Sequence, residues 1–393
     1  MITNRITYLS NSRFPSEMAN TVQIMNMCHA MAEYGFKVNL LKPYRVNQIS
    51  GASTNLFEFY NLSNRFDINT VKFIDLSILE KFIPSLMFRG LNYINNMLWE
   101  NYLVNYYIKN YNKDLIYMRH TLPFAIHKIS KLNIPAIVEF HAMPSKRYIK
   151  YYKDAFKNSR KFIPLAITKL LAEDISKVLG IDFNDILILP SAVNIDKFSA
   201  NKIVSRNDEK KLNITYVGSL IPNRGVDILI TAAKVLKEIN FTIIGGVGED
   251  LSKIKSYKEK NDLKNVNLLG FKSQKDLPLY YQKADILILP MTGKEVHTTK
   301  YASPSKLFEY MASGKPIIAS DLISIREILK NNESILLFEP DNSKDLINKI
   351  KLLSSDPDLM IKLSKNSKNL AKKYSWNNRV EKIQKHIQKF NID

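Results

Sequence analysis

The feature that most constrains this chain is a long succession of short apolar runs that do not alternate with polar residues. "RITYLS", "KVNLL", "DLIYM", "PAIVEF", "KFIPLAI" and "DILILP" punctuate the first half. "NITYVG", "FTIIGG", "VNLLGF", a second "DILILP", "KPIIAS" and "SILLFE" punctuate the second. A strand with one wet face alternates. A strand that is apolar throughout is covered on both faces, the condition of a parallel sheet between two helical layers. Helical spacing separates the runs, as at Val226, Leu229, Ile230 and Ala233. Two successive βαβα series therefore predict two doubly wound α/β domains, and 393 residues exceed one ordinary core. The stretch Pro190 to Lys211 is polar, charged and aperiodic, so the boundary is expected there. We place the first domain at 1–195, the second at 196–375 and a closing helix at 376–393.

No apolar run is long enough to span a bilayer. The first residues pass straight into a strand without a signal-peptide core. The single Cys28 excludes an internal disulfide framework and suits a reducing, cytoplasmic setting. Its neighbours Met25, Met27 and Met31 mark it as a buried thiol. Lys and Arg number 57 against 37 acids, a net +20, which draws nucleic acid, anionic lipid or anionic small molecules. A Lys-, Asn- and Ile-rich codon bias is the competing explanation. Two stretches stand out. Leu76 to Tyr111 is rich in aromatic residues and poor in acids, and reads as one or two core helices with solvated Lys, with docking on a membrane surface as the alternative. Ser145 to Lys161, "SKRYIKYYKDAFKNSRK", interleaves cations with Tyr and Phe and suggests an anionic membrane surface as a partner, hence a peripheral position on the inner face of the cell membrane.

Chemistry gathers at three strand-to-helix turns of the second half. In "SPSKLFEYMASGKP", Ser303 is expected as N-cap, Pro304 at the first helical position and Gly314 as the stop. Leu307, Phe308 and Met311 form an apolar stripe, while Ser305, Lys306 and Glu309 share another side. A helix N-terminus offers free N–H groups and partial positive charge, so it takes an anion. Glu309 lies one turn deeper, roughly 5 Å along the axis, where a carboxylate can accept two hydrogen bonds from a vicinal diol. Phosphate at the helix end and ribose one turn down describe a nucleotide diphosphate. A plain packing helix with an incidental Lys306–Glu309 pair is the alternative. In "YVGSLIPNRGVD" the strand ends at Val217, Gly218 turns, and Arg224 is placed for a bidentate phosphate contact, a solvated loop cation being the alternative. "IIGGVGED", Ile243 to Asp250, lacks the dinucleotide fingerprint and reads as a close-approach loop.

These residues carry a resemblance. "SPSKLFEYMASGKPIIASD" with "IREIL", "YVGSLIPNRGVDILI", "LPSAVNIDKF", "GFKSQKDLPLYYQKADILILP" and "SRFPSEMANTVQIMNMCHAMAEYGFKV" resemble the retaining glycosyltransferases of family 4, in family order. Leu56 to Tyr111 has no counterpart. The resemblance implies the GT-B fold: two Rossmann-like domains facing a cleft, with the last helix crossing back to the first domain. It implies a nucleotide-diphosphate-sugar donor on the second domain, a glycan or lipid-linked acceptor, no metal and no other cofactor. Glu309 matches the second acid of the family's E-x7-E motif, which contacts the ribose. Arg224 matches a phosphate-binding cation, Gly270-Phe271 the turn bordering the base, and His141 the position facing the transferred sugar. The implied donor set is Gly218, Ser219, Arg224, Gly270, Phe271, Tyr301, Ser305, Lys306, Leu307 and Glu309. His141, Arg224, Lys306 and Glu309 are the catalytic candidates; Ser16, Asn20, Arg119 and His141 are the acceptor-side ones, with surface solvation the equal alternative for Arg119 and, apart from the resemblance, a structural strand-end role for His141. Three departures matter: Tyr301 replaces the first acid, Ser219 replaces a second phosphate-binding Arg, and "NSRFPSEMAN" replaces a Gly-rich loop.

The expected reaction moves a sugar to an acceptor hydroxyl in surface polysaccharide or glycolipid synthesis, with Arg224, Lys306 and the helix end stabilising the departing diphosphate. A nucleotide-sugar epimerase of the same architecture and a basic nucleic-acid-binding protein are the alternatives; the latter lacks any recognised binding module. "DPD" at Asp356 to Asp358 looks like a metal motif, but Asp356 is expected to cap a helix that starts at Pro357. His297 has no Cys or His partner at ligand spacing.

Overall fold

The computed structural model describes residues 4–45, 55–74, 76, 82–159, 161–198 and 211–390. Residues 199–210 of the expected boundary stretch, residues 75 and 77–81 of the aromatic stretch, and Arg160 lie outside the described residues. The chain forms two compact units: residues 1–190 with 376–393, and residues 191–375.

The first unit opens with β1 (Arg5–Leu9), α1 (Ala19–Glu33), β2 (Lys37–Pro43), α2 (Leu56–Phe59) and β3 (Asp67–Val71). It continues through α3 (Ser85–Tyr111), β4 (Leu115–Arg119), α4 (Pro123–Lys131), β5 (Ala136–Phe140) and α5 (Ile149–Asn158). Then come β6 (Phe162–Ala166), α6 (Lys169–Leu179) and the two-residue β7 (Leu187–Ile188). The second unit runs β8 (Asn213–Val217), α7 (Val226–Val235), β9 (Asn240–Ile244), α8 (Gly248–Lys260), β10 (Val266–Leu268) and α9 (Leu277–Lys283). It ends with β11 (Ile286–Leu289), α10 (Ser305–Ser313), β12 (Ile317–Ser320), α11 (Ile323–Arg326), β13 (Leu336–Phe338), α12 (Ser343–Ser354) and α13 (Pro357–Ala371). The closing helix, α14 (Trp376–Ile387), belongs to the first unit.

Both sheets are parallel throughout. Their orders are β3-β2-β1-β4-β5-β6-β7 and β10-β9-β8-β11-β12-β13. Every residue of β5, β6, β11 and β12 is buried, which is why these runs are apolar without alternation. The two "DILILP" copies part company. The second makes the fully buried β11, whereas Asp182 caps a 3-10 turn over Phe183–Asp185 that consumes the start of the first and leaves only β7. In each sheet the order reverses beside the first strand of its unit, β1 against β4 and β8 against β11. Crevices beyond the carboxyl ends of such reversal points receive ligands.

Helix α14 is tied to the first unit by charge as well as packing. Arg379 is 4% exposed; its guanidinium reaches the carbonyl of Leu189 at 2.7 Å and that of Pro190 at 2.5 Å, and it pairs with the carboxylate of Glu139 on β5.

Candidate active site

At the reversal point of the second sheet, three turns are locked together by glycines. Gly245 has φ +122°, and a Cβ there would stand 1.9 Å from the Gly218 carbonyl oxygen. Its N–H donates to the Gly270 carbonyl at 2.8 Å. Only glycine permits this approach, so the exits of β8, β9 and β10 meet. Ser219 follows Gly218 and gives its carbonyl to the Tyr216 hydroxyl at 2.7 Å. Phe271, beside Gly270, is 38% exposed. A 3-10 turn over Pro222–Arg224 then hands the chain to α7 through Gly225, whose φ of +68° and packing against the Pro290 carbonyl exclude a side chain. Arg224 is thereby fixed at the start of α7.

Across the reversal point, β11 leads to a π-helical turn, His297–Tyr301, and then to α10. Here the sequence expectation needs correction. Helix α10 begins at Ser305, with Pro304 at the cap position and no side chain capping the first turn. Ser303 is occupied elsewhere: its hydroxyl accepts from the Ser191 N–H at 2.8 Å and its carbonyl from the Ser191 hydroxyl at 2.6 Å. Gly314 ends the helix in the left-handed region as expected. Leu307 turns away, fully buried in the core, with its N–H on the Pro304 carbonyl at 3.0 Å. Tyr310 braces the whole arrangement, its hydroxyl accepting the Val217 N–H at 2.9 Å.

Glu309 stands one turn inside α10 in a ring of polar groups. One oxygen, Oε2, accepts both the Lys306 ammonium at 2.7 Å and the Tyr281 hydroxyl at 2.5 Å. The Lys306–Glu309 pair is thus formed, with both side chains largely buried. Burial pushes the Lys197 ammonium below the usual lysine range, and the nearby Glu309 charge opposes that shift. Tyr301, where the first acid of the motif would stand, is 8% exposed. A carboxylate does occur earlier in the same loop: Glu295 Oε2 accepts from Asn223 at 2.9 Å and Thr298 at 3.3 Å. His297 feels both Arg224 and Glu295, and burial holds its ring below the usual histidine value.

In the first unit the reversal point carries Arg119 at the end of β4. Its Nε and one terminal nitrogen are buried without a protein partner, as is Arg13 Nε in the β1–α1 loop. Asn11 of that loop donates to the Thr121 carbonyl at 3.2 Å, joining the two exits. Asn20 donates to the Ser12 hydroxyl at 3.0 Å, and its Oδ1 has no partner. Ser16 is different. It is 2% exposed, its N–H donates to the Tyr60 hydroxyl at 2.8 Å, and it braces the loop from inside.

His141 follows β5. Its Nε2 lies 2.9 Å from Glu139 Oε1, off the line of a hydrogen bond, and its backbone N–H donates to His120 Nδ1 at 3.2 Å. Burial and the Arg119 charge bring the His141 ring down to about 4, against the pull of Glu139. His120 falls to about 3, through burial and the neighbouring His141 and Arg119. Burial works to raise the Glu139 carboxyl, but Arg379, His141 and Tyr117 together hold it well below the usual carboxylate range. Glu139 also accepts from Tyr117 at 2.5 Å and Gln23 at 3.1 Å.

Glu139, Arg379, Tyr281 and Lys197 were not among the sequence candidates. For Glu139 a signal existed: it is the one charge in the otherwise apolar "AIVEF", two residues before His141. Asp356 caps α13, accepting the Leu359 N–H at 2.8 Å, with Pro357 in the first turn. Among the described residues no group of three or more His, Cys, Asp or Glu side chains is placed to hold a metal ion.

Comparison with known proteins gives this arrangement a family. The sequence model of the glycosyl transferases group 1 matches residues 197–370. An uncharacterized glycosyltransferase of Methanocaldococcus jannaschii is 30% identical over 314 residues, 77% of this chain and 82% of the relative. The chain therefore belongs to the glycosyl transferases group 1. The N,N'-diacetylbacillosaminyl-diphospho-undecaprenol alpha-1,3-N-acetylgalactosaminyltransferase of Campylobacter jejuni is 31% identical over 237 residues, 58% of this chain and 59% of the relative. The Anabaena protein Alr3699/HepE, solved in complex with UDP, superposes with a TM-score of 0.70 at 15% identity, covering 98% of this chain and 100% of that one. Its likeness is one of fold, two Rossmann-like parallel sheets in the GT-B architecture.

Proposed function

We propose that this glycosyltransferase is a retaining, metal-independent enzyme of family 4 that moves a sugar from a nucleotide-diphosphate sugar to an acceptor hydroxyl in surface polysaccharide or glycolipid synthesis. One observation carries the reading: Arg224 and the uncapped first turn of α10 leave neighbouring strands at the sheet reversal, with Glu309 one turn inside. The diphosphate lies against the Arg224 guanidinium and the N–H groups of Ser305 and Lys306. The free oxygen of Glu309 takes the ribose diol, and Gly270-Phe271 borders the base. Departure of the diphosphate is the costly event, and fixed positive charge lowers it without solvent reorganisation. The acceptor attacks from the face the diphosphate leaves, and a phosphate oxygen takes its proton, so configuration is kept. By the family resemblance His141 orients the sugar; a ring that stays neutral near pH 7 suits a hydrogen-bonding role rather than a cationic one. The unpartnered nitrogens of Arg119 suit an anionic group on the acceptor.

The relative named for transfer to a diphospho-undecaprenol acceptor with an alpha linkage, and the neighbour solved with UDP, support the substrate class. The test is incubation with nucleotide-diphosphate sugars, with and without acceptor, in chelator, followed by NMR of the product anomer. Acceptor-dependent turnover with retained configuration is expected. Turnover without acceptor points to the epimerase, and an inverted product or abolition by chelator refutes the reading.

A further inference from the structure

Helix α3 presents a face that the fold leaves uncovered. Met87, Ile94, Leu98 and Tyr102 fall on one side of the helix and are 45–58% exposed. On the opposite side Trp99, Leu103, Val104 and Tyr107 are buried. Phe82, just before the helix, is 77% exposed. Clustered apolar exposure of this kind marks an interaction surface.

The surroundings of the stripe say what covers it. The one acid of α3, Glu100, turns inward, where it accepts the N–H groups of Phe124 at 2.8 Å and Ala125 at 2.9 Å and so caps α4. Lys128 of α4 donates to Asn105 Oδ1 at 2.7 Å, setting a cation on the flank of the stripe. Tyr93 of α3 stacks on Tyr148 at 6.2 Å, bringing α5 and its preceding turn alongside. There Lys146, Arg147, Lys150, Lys153 and Lys157 are all exposed, and residues 145–159 hold a single acid, Asp154. An exposed apolar stripe bordered by tyrosines and by charge of one sign is complementary to one environment: apolar chains beneath anionic headgroups.

We propose that the α3–α5 surface of the first unit docks the protein on an anionic lipid bilayer. The α3 side chains sit among the upper acyl segments and the α5 cations on the headgroup phosphates. Nucleic acid would use the cations and leave the apolar stripe idle, whereas a bilayer uses both. Among the described residues no helix is long and apolar enough to cross a membrane, so attachment at this face is interfacial. The inference is independent of the transfer reading, since it touches none of the residues assigned to donor or acceptor.

The test is flotation of the full-length chain with vesicles of phosphatidylcholine alone or mixed with phosphatidylglycerol, at low and physiological salt. Two double variants accompany the wild type, Ile94→Glu with Leu98→Glu, and Lys150→Glu with Lys153→Glu. Binding to the anionic vesicles, weakened by salt, is expected, with a loss of about tenfold or more in each variant. All four positions are on the surface, so the thermal midpoint and donor-induced stabilisation should stay unchanged. Absence of binding to anionic vesicles overturns the proposal, as does equal binding to neutral ones. Undiminished binding by the Ile94/Leu98 variant overturns it too, and polynucleotide competing in that case would assign the charge to nucleic acid.

Discussion

Replacing Arg379 by Met would remove the guanidinium from a carboxylate that is 2% exposed. Glu139 would keep the Tyr117 hydroxyl at 2.5 Å and the Gln23 amide at 3.1 Å, but no full cation. Breaking a buried pair from one side costs about 3–5 kcal/mol, a large share of the ~5–15 kcal/mol that holds an ordinary domain together. The carbonyls of Leu189 and Pro190 lose their donor as well. At roughly 2–4 °C per kcal/mol for a domain of this size, the first-unit transition should fall by about 6–20 °C. The pH dependence gives a second, sharper readout. In the wild type the depressed Glu139 carboxyl contributes stability above the ordinary carboxylate pKa and loses it as the pH falls through the folded value. In the variant Arg379 no longer opposes the burial that raises the group, so the carboxyl moves upward and protonation relieves part of the deficit. The deficit should therefore be largest near pH 7 and shrink on acidification. Calorimetry from pH 7 down to about 4 measures it. A midpoint drop under about 2 °C, or a deficit that widens in acid, refutes the reasoning.

Three further outcomes follow from the geometry. Gly225→Ala forces a Cβ to within 1.5 Å of the Pro290 carbonyl oxygen at φ +68°, so thermal melting should show a loss beyond the ~1–2 kcal/mol of left-handed strain alone, with weakened donor binding as Arg224 shifts. Asp356→Ala removes only a helix cap, so about 1 kcal/mol of stability should go while turnover stays constant; a collapse of turnover would give that motif a role in the reaction. His120 and His141 sit at about 3 and about 4, below the ordinary ~6.5, so the unfolded chain takes up their protons first and the fold loses stability as the pH drops through that interval. His141→Gln should flatten that acid limb, and an unchanged limb would contradict the burial argument.

Much of this molecule is legible because parallel strands announce themselves. Every apolar run named from the sequence contributes to a strand, since a strand covered on both faces leaves no polar position to blur it. β3 escaped because it has no continuous apolar run: "DINTV", at one edge of the first sheet, mixes exposed and half-buried positions. The start of α10 shifted because the Ser303 hydroxyl serves Ser191, 112 residues away, a competition that no local pattern displays. The same holds for Glu139 and Arg379, separated by 240 residues. Arg379 lies in "WNNRVEKI", indistinguishable from a solvated helix until the fold buries it. The positions of Arg224 at its turn and Glu309 one turn inside α10 were readable because turn and helix chemistry set them locally. Tyr281 reaches Glu309, and Lys197 comes under its charge, only through tertiary packing.

The central claim is a nucleotide-diphosphate-sugar site built around Glu309, and the most direct test is ligand-induced thermal stabilisation. Wild type and Glu309→Ala would be melted against a panel of nucleotide sugars, free nucleotides and polynucleotide. A ligand at a hundred times its Kd stabilises the native form by about 2.7 kcal/mol. A rise in midpoint confined to the sugars and diphosphate of one base, and lost in the variant, is expected. No shift with any nucleotide, and stabilisation by polynucleotide instead, would contradict it.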